Sequence, residues 1–498
     1  MLVRALGAPV ATILIIAVSL LIRFGIGLHP YSGAGLPPRF GDYEAQRHWM
    51  EVTVHLPIQD WYTNTTDNNL DYWGLDYPPI SAYQSWLYGK AIQRLEPEAI
   101  ALHTSRGYET PSSKTLMRWS VVASDILVFI PAVLACRHVF FKDATVEQRA
   151  WMLFAALLQP AAVLIDHGHF QYNSISLGFA AGAAAVVASG KEVLGSILYC
   201  LSLNHKQMSM YYAPAFFAHL LGRCLRRPTL LTQVGAVARL GFVVCATFAC
   251  IWAPFLVPPS RAIEVLSRLA PLRRGLFEDY VGNFWCATSP LIKWKQLFSQ
   301  QELVQLCMGA TLLTVLPAMA QQIRSPSRKG LLLCMASSAF SFFLFSYQVH
   351  EKSILLPLLP VTLLAPDVPA LAAWLPAVAA FSMYPLLKKD GLSLAYGALL
   401  LFWAAFTLPS QAAPNRTAAS GGAQGRGGSM LSYGLPLIFR TSVGLALGIH
   451  AAAAVLDPPK RLPFIYDALM TALSFLHFAA AAVYVQLLLW SQDHEKSN

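Results

Sequence analysis

Charged side chains are scarce in this sequence: Asp, Glu, Lys and Arg make up 12% of the 498 residues, against 55% hydrophobic residues. Soluble domains carry about a quarter charged residues, so a string of soluble domains is excluded. Cysteine is sparse too. The eight residues Cys136, Cys200, Cys224, Cys245, Cys250, Cys286, Cys307 and Cys334 fall mostly in apolar runs and contain no C-x-x-C pair. A disulfide framework or a zinc site built on paired cysteines is thereby excluded. Acidic residues are outnumbered, 26 against 36 basic ones, for a net charge of +10. In a soluble chain that excess would suggest nucleic acid. In a chain this apolar it reflects cytoplasmic loops and lipid headgroups, so membrane lipid is an expected partner and nucleic acid is not.

What the sequence has instead is a succession of long apolar runs, from residue 5 almost to the C-terminus, with a mean hydropathy of +0.47. A bilayer core about 30 Å thick takes about 20 apolar residues per helix. The runs therefore predict an all-α polytopic membrane protein with about 14 transmembrane helices. The first run, 5–28, follows a single Arg4 and lacks a small-residue cleavage site, so it reads as a retained anchor rather than a signal peptide.

Short basic loops stay in the cytoplasm. The loops at 137–149, at 223–227 and at 324–329 carry Arg137, Lys142, Arg149, Arg223, Arg226, Arg227, Arg324, Arg328 and Lys329. Alternation then places the long segments 29–115 and 258–300 on the opposite face, together with short connections near 166–173, 204–207 and 346–353. Every unusual polar cluster falls on that one face. Ionisable groups at membrane depth are costly and usually line a site, so one active site at the outer rim is expected. The Asn64 glycosylation sequon lies on that face, and the one at Asn415 on the other.

The stretch 41–79, GDYEAQRHWMEVTVHLPIQDWYTNTTDNNLDYWGLDYPP, is the densest cluster, with seven acidic residues and seven Trp or Tyr. Trp49, Val52 and Leu56 have the spacing of an amphipathic, interfacial helix over 43–55 with Asp42 at its N-cap. As a cap, Asp42 would be purely structural. The same position also favours an ionised carboxylate, which is what a general base must be. Glu44 would point from another helical face. Asp76, between Tyr72, Trp73 and Tyr77, is either a turn residue or a sugar contact, since sugars stack on rings while their hydroxyls bond acids. Asp166, His167 and His169 form at best a weak metal pattern. His350 and Lys352, with Arg273 and Arg274, have the chemistry of a phosphate clamp or of plain headgroup contacts. A transporter would explain the many spans, but no inverted repeat is visible, and Asp125 is a solitary mid-span charge.

Together the motifs GDYEAQRHWMEV (41–52), YWGLDYPP (72–79), HTSRGYE (103–109), DHGHFQYNS (166–174), KQMSMYYAP (206–214), FEDYVGNFWC (277–286) and SYQVHEKSILLPLLP (346–360) closely resemble the dolichyl-phosphate-glucose-dependent α-1,3-glucosyltransferases of the endoplasmic reticulum. The resemblance implies a GT-C fold and a multi-pass protein of the endoplasmic reticulum membrane with a lumenal active site. It implies a catalytic module at 1–365 with lumenal loops 29–115 and 258–300. Transmembrane scaffold helices would follow at 366–498, interrupted by a flexible linker at 409–430. GDYEAQRHW, HGHFQYN and NFWC resemble the branch adding the first glucose to the nine-mannose lipid-linked oligosaccharide, rather than its second-glucose sister. A mannosyltransferase of the same architecture is a weaker alternative.

Dolichyl phosphate glucose is then the donor, the lipid-linked oligosaccharide the acceptor, and no metal or other cofactor is implied. Asp42 matches the family's base. Glu44, Arg47, His48, Tyr72, Trp73, Asp76, Tyr77, Asp166, His167, His169, Gln171, Lys206, Arg273, Arg274, His350 and Lys352 are the implied substrate contacts.

Overall fold

The structure is a computed structural model and describes residues 2–269, 275–412 and 427–494. Arg273, Arg274, Asn415 and most of the expected linker at 409–430 lie outside the described residues. After α1 (Leu2–Gly27) the chain builds α2 (Gly41–His55) and α3 (Pro79–Leu95) in the first polar segment. It returns through α4 (Pro111–Ser124), which a π turn at Asp125–Phe129 joins to α5 (Ile130–Phe140). A second π turn, Leu164–Phe170, follows α6 (Val146–Leu158) and α7 (Pro160–Val163). Next come α8 (Asn173–Ala188), α9 (Glu192–His205), α10 (Ala213–Leu225) and α11 (Leu230–Trp252).

The second polar segment holds α12 (Pro259–Leu269), β1 (Phe277–Glu278), α13 (Phe284–Thr288) and α14 (Trp294–Leu297). It leads into α15 (Gln300–Arg324), α16 (Arg328–Phe345), β2 (Val349–His350) and α17 (Leu355–Leu363). The last third contains α18 (Pro369–Ser382), α19 (Tyr384–Lys389), α20 (Ser393–Ala412), α21 (Gly427–Val455) and α22 (Ile465–His494).

The helices begin where the sequence supplies caps. Thr110, Thr145, Thr229 and Ser299 each accept a hydrogen bond from the backbone three residues on, and the partner side chain closes a capping box. Each box satisfies amide groups that the first turn leaves unpaired. The core runs through α6, α8, α16 and α17. Small residues such as Ala180, Ala181, Ala183 and Ala184 let α8 pack closely on its neighbours, and Leu331, Cys334, Met335, Phe340 and Phe343 bury α16 on all sides.

Against an expectation of about 14 spans, among the described residues seven helical runs are long and apolar enough to cross a bilayer. Four further apolar helices are shorter: Asn173–Ala188, Pro369–Ser382, Ser393–Thr407 and Thr441–Val455. At 1.5 Å per residue, the nine residues of α17 rise only about 14 Å, less than half of a bilayer core. Both ends of α17, Leu355 and Leu363, are buried, and a helix too short to span is tolerated at membrane depth where its ends lie inside protein.

Candidate active site

The first functional residue is placed by a backbone contact. Gly33 has φ 74° and Gly41 φ 67°, in the left-handed region that favours glycine. A Cβ at Gly33 would lie 2.1 Å from the carbonyl carbon of Phe40, and one at Gly41 2.6 Å from that of Ser32. The segment 32–41 therefore folds back on itself with no room between its two ends. Ser32 joins it to the site, receiving the Asp42 amide on its Oγ (3.2 Å) and donating its own amide to the His169 carbonyl (3.1 Å).

The N-cap of α2 is Phe40, in a left-handed conformation and without a side-chain cap, so the expectation that Asp42 caps this helix is corrected. Asp42 sits within the first turn, where the helix dipole still favours its charge, and its side chain turns away to other partners. Three donors converge on Oδ2: His169 Nε2 at 2.9 Å, Gln171 Nε2 at 2.6 Å and Lys352 Nζ at 2.8 Å. Among the described residues Oδ1 has no hydrogen-bond partner, and the side chain is 25% exposed. Burial disfavours ionisation here, but the Lys352 ammonium and the His169 ring outweigh it and hold the Asp42 carboxyl well below the usual carboxylate range. Burial opposes the charge on Lys352 as well, and Asp42 and Glu351 raise its pKa above the usual range.

Gln171 and Lys206 extend the cluster. Lys206 Nζ donates to Asn173 Oδ1 (2.6 Å) and Gln171 Oε1 (3.4 Å) and lies 4.7 Å from the centre of the Tyr77 ring. Burial and the like charge of Lys352 push its pKa down to about 8, against attraction from Asp166, Asp42 and Asp76. Lys206 and Lys352 line one narrow cleft with Asn173, Ser176, Ser209 and the apolar walls Leu355 and Leu356. Two cations facing apolar leucines suit a phosphate carried on a lipid. His350, on β2, pairs with Glu278 at 3.3 Å, and the parallel register Glu278↔His350 ties the second polar segment to the strand leading into Lys352.

Other sequence-predicted residues lie elsewhere. Arg47 joins Glu44 (2.7 Å) and Glu51 (2.7 Å) in a buried network that includes His48, Ser105 and, through Glu44, the Tyr72 hydroxyl (2.9 Å). Against burial, the hydrogen bond from His48 and the charge of Arg47 bring Glu51 down to about 2. Because these charges pair with one another, α2 is buried from Tyr43 to Thr53, which corrects the reading of it as an interfacial helix. The stripe of Trp49, Val52 and Leu56 does pack on one face, against Trp61, Tyr62 and Phe255.

Trp73 donates to the Arg39 carbonyl, and the Asp76 carbonyl accepts from Gln207. Asp166 accepts from Asn173 Nδ2 (2.7 Å) and the Ser174 amide (2.8 Å), anchoring the start of α8. Asp125 is not solitary, since it receives Arg23 and His167, linking α1 to both π turns.

Sequence reasoning missed Asp390. It follows α19 in the last third, where no polar motif marks it, and its Oδ2 bonds His169 Nδ1. The expected division at 365 therefore does not separate the cluster from the helices that follow.

The chain matches the ALG6, ALG8 glycosyltransferase family over residues 14–484. It belongs to that family. It is 46% identical over 96% of its length, and 90% of the relative's, to a probable dolichyl pyrophosphate Man9GlcNAc2 alpha-1,3-glucosyltransferase of Arabidopsis thaliana. Dolichyl pyrophosphate Man9GlcNAc2 alpha-1,3-glucosyltransferases of Gallus gallus (42% identical, 97% of both chains) and Saccharomyces cerevisiae (39%, over 94% of this chain and 89% of the relative) are also similar. As a member of the ALG6, ALG8 glycosyltransferase family the chain is a hexosyltransferase, an α-1,3-glucosyltransferase. The Asp42 cluster therefore belongs to an enzyme that moves a sugar, not to a transporter.

Proposed function

We propose that this glucosyltransferase uses dolichyl phosphate glucose to add the first glucose to the nine-mannose lipid-linked oligosaccharide, with Asp42 as its general base, at the lumenal rim of the endoplasmic reticulum membrane. The observation that carries the reading is the asymmetry of Asp42: Oδ2 receives three donors while, among the described residues, Oδ1 stands open. A carboxylate held by one oxygen and open at the other is oriented to take a proton from an incoming hydroxyl.

In the proposed reaction the 3-hydroxyl oxygen of the terminal mannose forms a bond to C1 of the glucose. The C1–O bond to phosphate breaks on the opposite face, converting a β to an α linkage in one inversion. The hydroxyl proton goes to Asp42 Oδ1, and the bonding electrons leave with dolichyl phosphate. Phosphate is a stable anion and needs no proton, only positive charge placed where its charge grows. Lys352, Lys206 and His350 are the groups proposed to supply it. While Lys352 stays against Asp42 the carboxylate is a feeble base. A donor phosphate competing for that ammonium strengthens the base as the leaving group is engaged.

The relatives' names, which specify the Man9GlcNAc2 substrate, support the first-glucose reading over the second, though the family includes both enzymes. Defined donor and acceptors with nine mannoses, bare or already carrying one glucose, separate the two. Asp42→Asn is expected to keep the folded protein and lose about 10²- to 10⁴-fold in kcat, the range for a general base. Wild-type rates in that variant would remove Asp42 from the role.

A further inference from the structure

The Asp42 cluster contains a second carboxylate that the proposed reaction does not use. Asp390 lies in the turn after α19, fixed by bonds from its own amide to the Leu386 carbonyl (3.2 Å) and from the Leu392 amide to the Leu387 carbonyl (2.8 Å). Its side chain is 4% exposed. A carboxylate that deep in a protein requires a partner, and the partner is the Nδ1 of His169, whose Nε2 faces Asp42 Oδ2 at 2.9 Å.

The ring thus lies between two carboxylates, one at each nitrogen. Each carboxylate accepts, so the pair is satisfied best by a ring with a proton on both nitrogens. Lys352, 3.1 Å from the same Nε2, brings the cluster to two anions and two cations. Two further charged groups face this assembly: Glu351, buried beside Lys352, and Arg118, whose Nη2 donates to the Gly168 carbonyl at 2.9 Å.

We propose that Asp390 is a positioning residue for glucosyl transfer: by accepting the Nδ1 hydrogen bond of His169 it stabilises the ring protonated on both nitrogens, so that Nε2 donates to Asp42 Oδ2, which turns Oδ1 toward the acceptor hydroxyl. A neutral ring with its only proton on Nδ1 would present a lone pair to Asp42 Oδ2, and the carboxylate would swing away. The orientation of the base on α2 is then set, through His169, by a residue more than three hundred positions later in the chain. This inference rests on Asp42 being the base, so Asp42→Asn is measured in parallel.

The test compares Asp390→Asn, which keeps the shape and removes the charge, with Asp390→Glu in full-length enzyme purified in detergent, using defined lipid donor and acceptor. Asp390→Asn is expected to lower kcat by about ten- to a hundredfold, the worth of a hydrogen bond to a charged group, with KM for the acceptor nearly unchanged. Asp390→Glu should recover part of the rate. In a His169→Gln background, adding Asp390→Asn should cost almost nothing more, because both changes break the same chain of bonds.

A wild-type kcat in Asp390→Asn overturns the proposal, as does a double variant whose loss is the product of the two single losses. Loss of the folded, monodisperse enzyme in both Asp390 variants would make the residue structural and also overturn it. If instead Asp42→Asn is fully active, it is the reading of Asp42 as base that fails.

Discussion

Replacing Lys352 by Met tests whether one ammonium serves both the base and the leaving group. Met fills similar space without charge. The Nζ lies 2.8 Å from Asp42 Oδ2 and 3.1 Å from His169 Nε2. With an effective dielectric constant of about 20, a contact at 2.8 Å corresponds to a Coulomb attraction of ~6 kcal/mol before desolvation is counted. In the transition state the loss is that of one cationic contact to the leaving phosphate, about 3–4 kcal/mol, or 10²- to 10³-fold in kcat.

The pH profile should change as well. With Lys352 present the Asp42 carboxyl is held far below its usual range, so wild-type activity gains no acid limb from Asp42 across the near-neutral range. Removing the largest stabiliser of its charge lets burial raise it, so the variant should lose activity as pH falls and regain it as pH rises. Initial rates between about pH 5 and 8 in detergent measure both effects: kcat at saturating defined donor gives the loss, and kcat/KM at low donor gives the profile of the free enzyme, in which carboxylates ordinarily titrate near 4. A Lys352→Met enzyme with near wild-type kcat and an unchanged profile would refute the reasoning.

For stability the signs oppose. The Asp42 contribution is complete above its unfolded pKa of about 3.9 and is lost as pH falls through its lower folded value. The Lys352 contribution is complete below its unfolded pKa of about 10.4 and is lost as pH rises through its higher folded value. Between those limits the pair should give wild-type melting no slope with pH.

Arg47→Met strips the buried Glu44 and Glu51 of their shared cation and should cost about 3–5 kcal/mol of stability, read as a lower melting temperature; adding Glu44→Gln and Glu51→Gln should restore much of it. Gly33→Ala should impair both folding yield and activity, because its Cβ would strike the Phe40 backbone, whereas Gly35→Ala, with φ 66° and open space around it, should cost only about 1 kcal/mol. Thr66→Ala, at an exposed site, should abolish a glycan at Asn64, seen as loss of an endoglycosidase-sensitive gel shift, with activity within about twofold as usual for surface changes. A wild-type chain without that shift would count against a lumenal first segment.

The sequence by itself determined the membrane character and the helical class, because apolar length is a local property that no packing can reverse. It also supplied Asp42, His169, Gln171, Lys206 and Lys352, all in the polar motifs that stand out from the apolar background. Only the tertiary structure decided which of these share one carboxylate. It also diverted Glu44, Arg47 and His48 into a supporting network, and closed Asp125 onto Arg23 and His167 from different helices. Asp390 shows the reason most clearly. Its surroundings in the sequence, Lys388-Lys389-Asp390-Gly391, read as an ordinary polar turn, and its meaning comes from an imidazole brought to it across the fold. Hydrogen-bond partnership depends on distances of about 3 Å, which the order of residues along a chain does not encode until the helices have packed.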